Sequence, residues 1–255
     1  MESAGHRFTI LIGRIPIGIE SLYGVIYEQC QDYETNQEAK SIIRSEAYIS
    51  RNDFLKQKNQ RLQKIEINNS IYCITQEGKE AQEIQRKIIE MMIGKGFLIM
   101  HGAAVAKDGE AYIFTAPSGT GKTTRLRFWM ELYPDSVIIN GDKPMICVTG
   151  PRLLACGTPW AGKEGWNSNI QVPIRAIFLL ERAEQDSVEE ISIAEALLTL
   201  IRQTYIEQTP EEDMKRIQML KLMEGKVHFF RYRSTMTAES VRMAYEAAQA
   251  AGPIQ

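Results

Sequence analysis

The chain lacks any Cys-x-x-Cys pair. Its four cysteines, Cys30, Cys73, Cys147 and Cys156, stand far apart. They read as reduced, mostly buried thiols of a cytosolic protein, with neither a cysteine metal site nor a catalytic thiol expected. Charge of one sign is also lacking. With 30 Lys and Arg against 32 Asp and Glu, no global basic footprint points to nucleic acid or to an anionic membrane. Long apolar runs are missing as well. The longest, Phe97 to Ala106, contains His101 and is too short to span a bilayer. The N-terminus lacks the charged-then-apolar order of a signal peptide. There is no internal repeat and no low-complexity segment. The expectation is a cytoplasmic protein, whose 44% hydrophobic content is enough for a packed core.

What is present centres on Ala116-Pro117-Ser118-Gly119-Thr120-Gly121-Lys122-Thr123-Thr124. Gly119 and Gly121 let the backbone curl with its N–H groups inward, Lys122 adds a point charge, and the Thr123 hydroxyl is placed to ligate a metal. This is the composition of a phosphate-cradling P-loop, although Ala116 stands where the pattern opens with Gly. Context agrees. Ala111 to Thr115 reads as a strand, and Thr123 to Leu132 reads as a helix with Leu126, Trp129 and Met130 at helical spacing. A phosphate held there would sit at a helix N-terminus, where unpaired N–H groups and the helix dipole favour anions.

Before this loop, Phe8 to Ile19 reads as a strand that Pro16 and Gly18 turn into an edge or a bend. Residues 28 to 64 are polar, and Arg51, Lys56, Lys58, Arg61 and Lys64 face Asp53 alone. That run is a solvated face or a basic surface for an acidic peptide or nucleotide partner. Ile65 to Ile74 offers a short strand. Glu80 to Ile93 is a helix with an Ile84, Ile88, Ile89, Met92 stripe and Gly94 and Gly96 as stop signals. A soft boundary follows, with residues 1–94 an accessory region or the flank of one fold, and 95–255 the chemistry-bearing part. Phe97 to Lys107, Asp108-Gly109 and Glu110 to Thr115 make a hairpin with a type I′ turn.

Beyond the loop, Ser136 to Asn140 reads as a buried strand. Met145 to Val148, Leu153 to Cys156, Ile174 to Leu180 and Val227 to Tyr232 are further strands. Ser192 to Glu195 fits a capping box for a helix continuing over Ala196 to Tyr205. Thr209-Pro210 opens another helix, and Thr237 caps the last one.

Around the loop stand three further features. Asp142 ends the Val137-Ile138-Ile139 strand, where a second metal ligand belongs. His101 lies in an apolar strand one hairpin away from the loop, whereas His228 reads as structural and His6 as a terminal residue. The stretch Thr158 to Asn167 gathers glycines, Trp160, Trp166, Lys163 and Glu164. Lys163 suits a charge on a transferring phosphoryl group. Glu164 suits the metal or its waters, and the tryptophans suit a nucleobase or an acceptor pocket.

The ordered set His101-Gly102, hairpin, Ser118 to Thr123, Asp142 and Gly157-Thr158-Pro159-Trp160 with Gly162-Lys163 resembles the HPr kinase/phosphorylase family. That family's P-loop architecture is similar to ATP-dependent phosphoenolpyruvate carboxykinase, and its relatives include peptide-modifying kinases of lasso-peptide gene clusters. The resemblance covers roughly residues 97 to 182. It implies an α/β fold with mixed sheets. It also implies ATP and Mg²⁺ held by Ser118, Gly119, Thr120, Gly121, Lys122, Thr123 and Thr124, with Thr123 and Asp142 as metal ligands. Transfer would go to a hydroxyl, of a peptide or protein serine or of a small polyol. The family places two adjacent acids after the buried strand, and here the first is Gly141. Asp142 then takes both duties, or His101 acts as base, or positioning alone suffices, or only nucleotide binding remains. The family's signature for gripping HPr is absent after Asp142, so HPr is not the expected substrate. A homo-oligomer is compatible with this reading.

Overall fold

The computed structural model describes residues 5–46, 63–67, 70–204 and 210–254. The basic stretch from Arg51 to Arg61 and the expected N-cap Thr209 lie outside the described residues. The chain divides into two compact units, Met1–Met91 and Met92–Gln255. No described helix is long and apolar enough to cross a membrane.

In the first unit, β1 (His6–Ile12) and β2 (Ile15–Ser21) form an antiparallel hairpin where the pattern suggested one bent strand. Gly13 and Arg14 turn it, both with positive φ (55° and 64°). That is the backbone of a two-residue I′ turn. A Gly-Arg pair carries little turn signal, because only tertiary pairing forces arginine into the left-handed region. Pro16 and Gly18 do not interrupt β2. Gly18 instead lets β3 (Ser41–Arg44) approach, since a Cβ there would stand 3.2 Å from Ile42 Cγ1.

A short helix α1 (Val25–Cys30) follows β2, and β4 (Gln63–Ile67) pairs with β5 (Ser70–Ile74). Helix α2 (Gln76–Ile93) starts four residues before the expected Glu80 and buries Ile84 and Ile88. Glu80 is buried yet satisfied: its carboxylate accepts from Leu22 N–H (2.8 Å), Tyr23 N–H (2.9 Å) and Ser45 Oγ (2.6 Å). A buried carboxylate with three donors is a structural fastener.

The second unit is α/β with a mixed sheet. Its strands are β6 (Phe97–Ile99), β7 (Gly102–Lys107), β8 (Glu110–Thr115), β9 (Val137–Asn140), β10 (Met145–Cys147), β11 (Leu154–Cys156), β12 (Gln171–Arg182), β13 (Ser187–Ile191) and β14 (His228–Ser234). The described strands run in the order β6-β10-β11-β12-β8-β7-β9, with β14 also on β12 and β13 on β14. Strand β12 is long enough to serve two neighbours in turn: its first part pairs antiparallel with β11, and Ala176 to Arg182 pairs parallel with β14. The helices are α3 (Lys122–Leu132), α4 (Ile193–Gln203), α5 (Pro210–Lys221) and α6 (Ala238–Ala250).

Register is pinned by an aromatic row. Phe114, Phe178 and Phe230 are direct partners across β8, β12 and β14. Their rings stack at centroid distances of 5.1 and 5.2 Å. Each buried ring contributes roughly 2–3 kcal/mol, and each stacked pair about 1 kcal/mol beyond that. A one-residue slip would turn these side chains to the other face. The row therefore fixes where β8 ends, at Thr115. Leu126 and Trp129 of α3 and Val241 and Ala244 of α6 close over the same core.

The hairpin β7–β8 has the expected turn, with Asp108 at φ 52° and Gly109 at φ 77°. Its other expected feature is corrected: the run Phe97 to Lys107 is not one strand. It breaks at Met100-His101, with β6 joining β10 and β7 joining β8 and β9. Strand β9 pairs with β7 alone among named strands. Its Val137 is exposed while Ile139 and Asn140 are buried, so it is half-buried rather than buried throughout.

The capping box is present. Ser192 Oγ accepts from Glu195 N–H and Glu195 Oε2 accepts from Ser192 N–H. Thr237 caps α6 through Ser240 N–H. Ser192→Ala removes one side of the box and is expected to lower stability by about 1 kcal/mol, read as a lower urea midpoint at unchanged slope.

Candidate functional site

The β8 strand ends at Thr115, and the chain then turns through Ala116 to Gly121 into α3. Gly119 (φ 78°) and Gly121 (φ 116°) hold the turn in the left-handed region. A Cβ at Gly121 would stand 2.0 Å from Met236 Cε, the movable end of a flexible side chain, so it is the φ of Gly121 that asks for glycine there. Gly121 is also the N-cap of α3 and offers no side-chain cap. The first-turn N–H groups of α3 are thus left for another acceptor.

Lys122 is the first residue of α3 and is 7% exposed. Its ammonium donates to Ala116 O (2.8 Å) and Pro117 O (3.3 Å), the carbonyls of its own turn. Burial pushes its pKa below the usual lysine range, and the Asp142 carboxylate pulls it back up. Thr120 Oγ1 donates to Pro117 O (2.9 Å). Ser118 is exposed, and Thr123 and Thr124 are half-buried in the first turn of α3.

Behind the turn, Arg125 is fully buried. It donates to Thr237 O (3.1 Å), Ser240 Oγ (2.7 Å), Met236 Sδ (3.0 Å) and Ser234 Oγ. It ties α3 to the end of β14 and the start of α6, and burial lowers its pKa.

The break at Met100-His101 places a second group beside this turn. Met100 N–H donates to Pro144 O (3.0 Å), His101 N–H to Gln203 O (2.7 Å), and Gly102 N–H to Asp142 O (2.9 Å). Thr115 Oγ1 donates to His101 O (2.9 Å). With Gly102 opposite Thr115 in the hairpin register, His101 stands next to the point where the turn departs.

Asp142 is held through its backbone. Asn140 Oδ1 accepts from Asp142 N–H (2.8 Å) and Lys143 N–H (2.6 Å). Asn140 Nδ2 donates in turn to Thr158 O (2.9 Å). The Asp142 carboxylate is left to face His101, with Oδ1 3.6 Å from Nε2.

The structure therefore brings Lys122, His101 and Asp142 into one neighbourhood. From the Thr158–Asn167 stretch it adds backbone. A Cβ on Gly162 would stand 3.1 Å from Asp142 Cβ. Gly141 N–H donates to Trp166 O (2.8 Å). Lys163 and Glu164 are exposed, and Glu164 Oε1 lies 4.0 Å from Arg127 Nη2. Trp160 is buried with its Nε1 unpartnered among the described residues, and the Trp166 ring carries the Arg127 guanidinium at 5.6 Å.

Two contributors have no local sequence signal. Arg182, at the end of β12, donates to Gly119 O (2.8 Å) and Thr120 O (3.2 Å) and so braces the turn. Gln203 binds the His101 ring, with Oε1 2.9 Å from Nδ1. Parallel pairing of β12 with β8 explains Arg182. Only tertiary structure explains Gln203. Neither a family profile nor a curated protein matches the chain.

Proposed function

We propose that the Met92–Gln255 unit is a P-loop phosphotransferase of the HPr-kinase/carboxykinase type. It transfers the γ-phosphoryl group of ATP to a hydroxyl, that of a peptide or protein serine, with a small polyol as the alternative acceptor. The carrying observation is Lys122. A buried ammonium that hydrogen-bonds its own turn's carbonyls, at a helix N-terminus without a side-chain cap and with the Asp142 carboxylate acting on it only through space, is a positive site open to a further anion. A polyphosphate supplies that anion, bonding to the inward N–H groups of the glycine turn.

The residues also fit the cation. The Thr123 hydroxyl and the Asp142 carboxylate are hard oxygen donors of the kind Mg²⁺ takes beside phosphate oxygens. When bound, Mg-ATP would supply the phosphoryl group and neutralise its charge. Lys122 would hold the phosphates, Gly119 and Gly121 would keep their N–H groups aimed at them, and Arg182 would brace the turn. Asp142 and His101 would face the incoming hydroxyl, the two positions from which its proton can be received.

One observation favours a second reading, a nucleotide-binding module without transfer. A Cβ at Gly141 would stand 3.3 Å from Ala161 O and 3.5 Å from Trp166 O. The backbone of the tryptophan stretch lies in close contact with the position where the family carries its first acid.

The test offers Mg-ATP with serine peptides and polyols, reading ADP release and the phosphorylated product by mass spectrometry. Transfer to a hydroxyl is the expected result. ATP binding with no product across all acceptors would overturn the kinase reading in favour of the binding module.

A further inference from the structure

We propose that Gln203 fixes the tautomer of His101, making His101 Nε2 and Asp142 Oδ1 a paired-acceptor subsite for the hydroxyl that receives phosphate. Its purpose rests on the transfer reading above; its geometry does not.

Gln203 is the last residue of α4 and is 8% exposed. It grips His101 twice, accepting from the backbone N–H at 2.7 Å and standing with Oε1 2.9 Å from Nδ1. The same helix end is joined to the break in the strand by the bridge between Met100 and Thr204. With its amide oxygen rather than its NH2 turned to the ring, Gln203 accepts, and the proton of the neutral ring sits on Nδ1. Nε2 is then a bare lone pair, and it faces Asp142 Oδ1 at 3.6 Å.

Two acceptors at that separation have nothing to share between themselves. Turned the other way, with the proton on Nε2, the imidazole would donate to Asp142 and the pair would close on itself. With its amide oxygen held toward Nδ1, Gln203 disfavours that closure. An oxygen placed about 2.8 Å from both atoms subtends about 80° between them, so one hydroxyl fits and shares its proton with the two. Gln203 touches neither nucleotide nor acceptor in this arrangement. It is a positioning residue acting through His101.

Long-range ¹H–¹⁵N spectra of the full ¹⁵N-labelled chain read the tautomer directly, with His101 assigned by its absence in His101→Ala. The expected wild-type pattern has the proton on Nδ1. Gln203→Glu keeps an acceptor and retains that pattern, whereas Gln203→Met removes it and moves the proton to Nε2. A wild-type ring protonated on Nε2, or a pattern unchanged in Gln203→Met, overturns the proposal. The wild-type spectrum decides alone should Gln203→Met not fold. In the transfer assay, kcat of Gln203→Met falls about 100-fold at unchanged KM for ATP, and Gln203→Glu recovers most of it. Equal losses in both variants, or a loss confined to KM for ATP, overturn the positioning role. An inactive wild type that still carries the proton on Nδ1 supports the assignment and overturns only the transfer reading.

Discussion

Lys122→Ala abolishes Mg-ATP binding in titration calorimetry, while the ligand-free protein melts close to the wild type. Both halves follow from where the ammonium sits. Hydrogen bonds to a charged group contribute about 1.5–3 kcal/mol each, and the ammonium offers a polyphosphate more than one, so affinity falls about 100-fold or more. The ligand-free protein loses two opposed terms. Burial holds the Lys122 pKa down, which means the charged form is disfavoured by folding, and removing it relieves that cost. Against this, Ala116 is 1% exposed and its carbonyl loses a donor, a penalty of about 1–3 kcal/mol. The two oppose each other, so the melting temperature moves less than the lost donor alone would move it.

The depressed pKa also fixes a sign. Between the folded and unfolded values the unfolded chain binds more protons, so stability rises with pH across that window, and the full cost is present below it. Binding goes the other way. Phosphate needs the protonated ammonium, so ATP affinity falls as pH rises through the depressed Lys122 value. Unchanged affinity in Lys122→Ala, or affinity flat through the alkaline range, would sink the phosphate reading of this turn.

How much of this was legible beforehand varies by residue. The hairpin turn at Asp108-Gly109, the helix after Gly121 and the Ser192 box are local devices, each written in a few adjacent residues. Sequence reaches them because the chemistry acts at short range. The Gly13-Arg14 turn was not legible, because strand pairing alone holds an arginine at φ 64°. The break at His101 was hidden for a related reason. Phe97 to Ala106 is uniformly apolar, and nothing in that run says that its two halves join different neighbours.

The candidate site follows the same division. Lys122, Asp142 and His101 stand out as residue types in context, and the structure gathers them. Gln203 lies 102 positions from His101 and Arg182 63 from Gly119, so only the fold makes them neighbours. Lys163 and Glu164 illustrate the reverse. Both are exposed, and it is Gly162 in the same stretch that lies against Asp142. What that stretch contributes is shape and backbone, which composition does not display.

Asp142→Asn should separate binding from transfer. Its backbone is held independently of its carboxylate: Asn140 Oδ1 takes its N–H, and its carbonyl takes the Gly102 N–H. The side chain can therefore change from carboxylate to amide, at equal volume, with the fold intact and an unchanged far-UV spectrum. The charge is what goes. Asp142 opposes the burial of Lys122, faces His101 Nε2 at 3.6 Å, and is the hard oxygen proposed for Mg²⁺. Losing one preorganised charged group at a phosphoryl-transfer site costs roughly 10²–10³-fold in kcat. ATP affinity should fall much less, because the glycine turn and Lys122 remain. Removing the carboxylate also removes the one term that raises the Lys122 pKa, so the alkaline fall in ATP affinity moves to lower pH in Asp142→Asn. A structural role for Asp142 would move neither kcat selectively nor that pH dependence. Full transfer activity in Asp142→Asn would pass the proton-accepting duty to His101 or to positioning alone. A variant that keeps its fold, binds ATP and transfers nothing would assign it to Asp142.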